Sequence, residues 1–193
     1  MRHTVWKPHR ALLRLVPIVL LGGLLLACGS GDAVDLPTEP ASAPDPSPDP
    51  RQPVLPAGVE PIQFDTLAAV FETAAGLTFT LDLEIADTFT RRTRGLMYRI
   101  RLSPDAGMLF AFPEETAGPF WNRDTPLDLD IAFLDPEGRV IEILQLNALS
   151  TELIAPELPY LYALEMESGW FAANGVRVAD RLFIPEGIAG LPE

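Results

Sequence analysis

Lysine, histidine and cysteine are nearly missing from this chain of 193 residues. The single cysteine is Cys28, the single lysine is Lys7, and both histidines, His3 and His9, stand in the first ten residues. One cysteine permits no internal disulfide and no cysteine-rich metal site. If the first 27 residues are removed, the remainder keeps no imidazole and no side-chain amine. Ser-His-Asp and Cys-His catalysis then lack their base, Schiff-base chemistry lacks its amine, and zinc lacks its usual ligands. Positive charge is scarce too: 14 Lys and Arg face 27 Asp and Glu, a net charge of -13. Such a surface repels nucleic acid, whose binding depends on cations neutralising phosphates, so no nucleic-acid role is expected.

Residues 1–27 have the form of an export leader. Arg2, Lys7, Arg10 and Arg14 precede an apolar run that ends in Leu25-Leu26-Ala27-Cys28. A basic start, an apolar stretch of about a dozen residues and a small residue before the cut describe a secretory signal. The run is short of the roughly 20 residues a permanent span needs. The Ala27-Cys28 junction resembles the bacterial lipobox, which implies that Cys28 becomes a multiply acylated N-terminus and anchors the chain in a membrane. Gly29 rather than Asp follows, which favours the outer membrane in a Gram-negative cell. The expected location is therefore the cell envelope.

Residues 28–61 read as the lipidated cysteine followed by a disordered, proline-rich tether. They include Pro44-Asp45-Pro46-Ser47-Pro48-Asp49-Pro50. Proline fixes φ and removes a backbone donor, and such chain extends by about 3.1 Å per residue. The folded domain is expected over 62–188, with 189–193 as a C-terminal tail.

Within that domain the period is two. Leu77, Phe79, Leu81, Leu83 and Ile85 alternate with polar residues, as do Leu127, Leu129 and Ile131, which predicts half-buried strands. Asp135-Pro136-Glu137-Gly138 is a turn signature, so residues 139–146 read as the return strand of a hairpin. Further strands are expected at 70–73, 108–112, 160–165 and 181–184. Two short helices complete the reading, one capped by Asp87 or Thr88 and ending at Arg94-Gly95. The other is capped by Ser168 and stopped by Asn174-Gly175. The predicted fold is mainly β (α+β), a single compact antiparallel sheet or distorted small barrel with two short helices.

The motifs Arg94-Gly95-Leu96-Met97-Tyr98-Arg99, Gly107-Met108-Leu109-Phe110, Phe120-Trp121, Leu129-Asp130-Ile131-Ala132-Phe133 and Leu164-Glu165 with Gly169-Trp170 resemble those of one family. It is known only as domain of unknown function 192. The resemblance covers about residues 70–185 and implies a compact, mostly β fold, frequent export and no established activity. Asn122, Arg123 and Asp124 replace the family's usual Met, Lys and Asn, Asp128 stands for Pro, and Ala179 stands for Gly before Asp180.

Carboxylates, arginines, tyrosines and hydroxyls are left to carry chemistry. Trp121, Arg123, Asp130, Arg94 and Arg99 are the candidate ligand-binding residues: a stacking indole, an arginine cluster suited to bidentate anion contacts, and the acid that the family motif includes. Asp124, Asp128 and Asp130 form an acid cluster that is a weak candidate for a hard cation, with a solvated acidic face as the plain alternative. Asp130 and Glu165 are the pair a carboxylate-dependent hydrolase of envelope glycan would use. The balance lies against an enzyme. The expected function is a membrane-anchored exported lipoprotein whose non-catalytic β module binds a ligand or partner, without a cofactor.

Overall fold

The computed structural model describes residues 52–192, so the leader, Cys28 and most of the tether lie outside the described residues. Seven strands follow in chain order: β1 (Asp65–Glu72), β2 (Thr78–Ala86), β3 (Ala106–Thr116), β4 (Leu129–Leu134), β5 (Val140–Leu146), β6 (Tyr160–Glu167) and β7 (Arg181–Phe183). Two short helices, α1 (Phe89–Arg94) and α2 (Trp170–Ala173), stand after β2 and β6. All the expected strands are present. Alternation works as read in β2, where Leu81, Leu83 and Ile85 are buried while Thr80 and Asp82 are exposed.

The sheet order is β5-β4-β6-β3-β2-β1-β7. The expected mainly β fold with two short helices is present, and one pair departs from antiparallel order: β2 and β3 pair in parallel, with Asp82 opposite Ala106 and Ala86 opposite Phe110. Parallel neighbours need a crossover rather than a hairpin, and residues 87–105 with α1 supply it. The sheet also curls until its ends meet. Val140 N–H donates to the Asp180 carbonyl (2.8 Å), Ala179 N–H to Val140 (2.8 Å) and Leu182 N–H to Gly138 (2.9 Å). Gly138 closes the β4–β5 turn at φ 77°, and a Cβ there would run into the Leu182 carbonyl. The result is a mixed seven-stranded half-barrel.

Curling gives the sheet two apolar faces. The inner cluster contains Phe71, Leu81, Leu83, Leu109, Leu134, Leu164, Phe171 and Leu182. The outer cluster contains Leu96, Met108, Phe110, Leu129, Ile131, Phe133 and Tyr160, and lies beneath the crossover and the β3–β4 connection. Trp170 packs edge-on to Phe71 and Phe79, and its indole N–H donates to Asp105 (2.9 Å). It is a packing tryptophan.

Thr88 caps α1 by accepting from Arg91 N–H (3.2 Å), and Gly95 at φ 46° ends the helix, both as expected. The second helix differs. Gly169, at φ 88°, occupies its cap position without a side-chain cap, and the Ser168 hydroxyl is used elsewhere, accepting from the Gln145 amide (3.2 Å) and donating to Asp130 (3.2 Å). Contacts also run past both expected domain limits: Val54 N–H donates to Tyr98 and Leu191 N–H to Asp87 (2.9 and 2.7 Å).

Ala179, in place of the family's glycine, sits at φ 75°. A side chain in this left-handed region costs about 1–2 kcal/mol, partly offset by the backbone freedom that glycine loses on folding. Ala179→Gly should therefore stabilise the domain by about 0.5–1 kcal/mol, read as a higher urea midpoint at unchanged slope. A lower midpoint would remove strain at this turn as the explanation.

Candidate functional site

Register puts one carboxyl where an apolar residue is expected. Glu165 on β6 stands opposite Met108 on β3 and Ile131 on β4, both fully buried members of the outer cluster. Side chains of paired residues share a sheet face, so Glu165 faces the same way. Only 4% of the residue is exposed, and its carboxyl has no hydrogen-bond or ion-pair partner among the described residues. Burial alone raises its pKa from 4.5 to about 8. The acid is therefore mostly uncharged at neutral pH.

The carboxyl opens into a cleft of about 690 Å³. Phe110 and Phe112 of β3, Tyr160 of β6 and Phe120 of the β3–β4 connection line its depth. They interlock edge to face, with ring centres 5.1 Å apart for Phe110–Phe120 and 5.4 Å for Phe112–Tyr160, a favoured aromatic geometry. Burial pushes the Tyr160 phenol up, and its hydroxyl donates to the Gly118 carbonyl (2.6 Å). Phe89, Trp121 and Leu153 stand exposed on the rim at 56%, 39% and 60%.

Gly107 makes the floor possible, because a Cβ there would run into the Glu165 backbone carbonyl and lie 2.5 Å from Met166 Sδ. The wall at residues 118–123 is held by paired bonds between Phe120 and Ile154 (2.7 and 2.9 Å). Asn122 completes it. Its buried amide donates to the carbonyls of Leu127 (2.7 Å), Leu146 (3.1 Å) and Asn147 (3.0 Å), tying the wall to the end of β5.

Four sequence-predicted residues gather at this cleft: Arg94, Trp121, Arg123 and Glu165. Trp121 and Arg123 stack on each other, the guanidinium 4.1 Å from the indole centre, and Arg123 also lies 3.6 Å from Asp124. Arg94 donates to the Glu60 carbonyl (3.1 Å) and lies over Tyr98. Arg92, a neighbour in the same cluster, donates to the carbonyls of Asp87 (2.6 Å) and Ala111 (3.0 Å). Arg91 bridges Asp65 and Asp87 (2.7 and 2.9 Å). The cluster thus ties separate segments of chain together.

Asp130 and Arg99 do not join the cleft. Asp130 accepts from the Ser168 hydroxyl and from Gly169 N–H (3.2 and 2.7 Å), shaping the turn into α2. Arg99 is 3% exposed and reaches both Glu84 oxygens at 2.7 Å. The Asp130–Glu165 pair fails on register: Asp130 stands opposite Met166, a member of the inner cluster, whereas Glu165 faces outward. Adjacent residues of a strand point to opposite faces, so these carboxyls cannot work across one opening. The Asp124–Asp128–Asp130 cation cluster is also undone. Asp128 accepts from Ala148 N–H (2.7 Å), Asp124 leans on Arg123, and no cation-holding acid group forms among the described residues.

Sequence reasoning missed the aromatic walls and the Asn122 staple. The usable signal was Asn122 itself, a polar residue where the family carries Met inside an otherwise apolar Phe-Trp segment.

The chain belongs to the family of domain of unknown function 192, described as an uncharacterized ACR, which matches residues 70–184. Nothing among the curated proteins matches it. It is similar to a solved protein of Sinorhizobium meliloti 1021 whose description as a transcription regulator is provisional, at 33% identity and TM-score 0.62. That match covers 64% of this chain and 97% of the other. It is also similar to a protein of unknown function from Novosphingobium aromaticivorans DSM 12444, at 25% identity and TM-score 0.59, covering 72% and 99%.

A raised carboxyl pKa fixes the sign of a pH effect. Below about pH 4.5 Glu165 is protonated in both states and contributes no pH dependence. Between that value and about 8 the unfolded state gives up its proton while the folded state holds it, so stability falls as pH rises. The slope approaches about 1.4 kcal/mol per unit. Glu165→Gln should remove this component, so urea midpoints of wild type and variant diverge from pH 5 to pH 8, with the variant ahead. Parallel curves would show that Glu165 is ionised in the fold.

Proposed function

We propose that this chain is an exported envelope lipoprotein, anchored through Cys28, whose β domain is a non-catalytic module that binds a small ligand in the cleft above Glu165. One observation carries the assignment of the site: a buried carboxyl without a partner facing an aromatic-walled opening. A buried polar group normally finds a partner within the protein, so one left open to a cleft is suited to a partner from outside. Exposed Phe89, Trp121 and Leu153 on the rim agree with it, since exposed apolar groups clustered at an opening mark interaction sites.

The leader and the Ala27-Cys28 junction support export and anchoring, and the proline-rich tether suits a domain held off a membrane. The regulator description belongs to the Sinorhizobium protein. The acidity of this chain, with cleft arginines engaged internally, argues against nucleic acid as the ligand.

Two measurements test the proposal. Cell fractionation should find the wild-type chain with membranes and Cys28→Ser in the soluble fraction; mature protein that retains Met1 and an unmodified thiol rejects the anchor. Native mass spectrometry of the full chain, after incubation with a small-molecule extract of envelopes, should show a retained adduct. Trp121→Ala should weaken that adduct about tenfold or more, as truncation of an aromatic anchor does. Equal retention by Trp121→Ala and Glu165→Gln would remove the cleft from the assignment.

A further inference from the structure

The charges around the cleft narrow the ligand. Arg92, Arg94 and Arg123 line it, but each is committed to chain carbonyls, a carboxylate or an aromatic ring. Glu114 and Glu115, on the outer end of β3, also line it; they are exposed and have no partner among the described residues. Glu165 at the floor has none either. The uncommitted charge-bearing groups of the cleft are therefore all acids, in a chain of net charge -13. Between rim and floor lie aromatic rings, which attract cations through their faces and accept apolar bodies through their area.

We propose that the cleft takes an amphipathic organic amine, its protonated amino group seated on the Glu165 carboxylate and its apolar body held among Phe110, Phe112, Phe120 and Tyr160. This rests on the reading of the cleft as a ligand site and goes beyond it by naming the chemical class.

Binding carries a proton balance. In the free protein Glu165 holds its proton at neutral pH, because burial raises its pKa to about 8. An arriving ammonium favours the ionised form, so the acid's O–H bond breaks, the proton leaves to solvent and the ammonium pairs with the carboxylate. No bond of the ligand changes. Other charged and titratable groups also face the cleft. Arg92, Arg94 and Arg123 are held by chain carbonyls, a carboxylate or an aromatic ring. Glu114 and Glu115 are solvent-exposed, and Tyr160, pushed up by burial, stays neutral. Beyond Met108 in the same row, Glu84 is paired to Arg99 at 2.7 Å.

Isothermal titration calorimetry on the full chain tests the proposal with three probes sharing one skeleton: phenethylamine, phenethyl alcohol and hydrocinnamate. At pH 7, in buffers of different ionisation enthalpy, phenethylamine should bind about tenfold or more tightly than the alcohol, the worth of a charged over a neutral hydrogen bond. It should release close to one proton, and the alcohol none. The proton count needs no variant. Glu165→Gln should then abolish the release and cost the amine about tenfold, leaving the alcohol within about threefold. Amine binding without proton release, or equal or tighter binding of the alcohol or the anion, overturns the amine assignment while the cleft stands. Failure of all three probes to bind overturns the cleft reading and this inference with it.

Discussion

Parallel pairing of β2 with β3 obliges the chain to return along the sheet before β3 can begin, and residues 87–105 make that return over the outer face. Much of the cleft's architecture follows from this crossover. It sets α1 and Met97 beside the aromatic rings as a further wall, and it brings Arg99 down onto Glu84, where the two oxygens are met at 2.7 Å. Glu84 would otherwise be a carboxylate pointing into an apolar layer, since its row continues through Met108 to Glu165 and Ile131. Burying such a pair costs desolvation that the Coulomb attraction repays only with good geometry. The pair therefore argues more for a fixed crossover than for added stability.

That row holds two carboxyls two strands apart, about 9.6 Å by strand spacing. Their environments differ because the crossover ends between them. Glu84 receives a guanidinium, whereas Glu165 receives aromatic rings and an opening. Arg99 keeps a second buried nitrogen, Nη1, without an acceptor, so the outer layer carries unsatisfied polar capacity on both sides of Met108. Such exceptions are expensive in a core that otherwise packs Leu, Ile and Phe.

Strands were legible because their period was strong: the alternations at 77–85 and 127–131 marked Leu81, Leu83, Ile85, Leu129 and Ile131 as buried, and the turn at 135–138 marked the hairpin. The helix α1 was legible through Thr88 and Gly95. The parallel pair was not, because α1 has only six residues and carries no buried face of its own to announce a crossover. Ser168 misled as a cap, since its oxygen accepts from Gln145 and its O–H goes to Asp130, contacts 23 and 38 residues away in sequence. Long-range register decided the candidate site in the same way. Asp130 and Glu165 differ by one step of strand phase, which is invisible until β4 is laid against β6. The cleft walls draw on residues from 89 to 192, and no local pattern brings those together.

Glu165 therefore carries a meaning that its neighbours do not. Its pairing partners are Met108 and Ile131, and the cluster around it is apolar, so a methionine or leucine at this position would satisfy packing without desolvating an acid. A sequence whose levels otherwise agree tends to break its own rules at functional positions. Glu165 breaks the rule of apolar interiors where the outer layer also fails to close, and Gly107 keeps β3 close against its backbone. A cavity without the acid would be a packing fault, and an acid without the cavity would be a buried charge with no outlet. Found together, between a wall stapled by Asn122 and a helix pinned by Arg92, each accounts for the other.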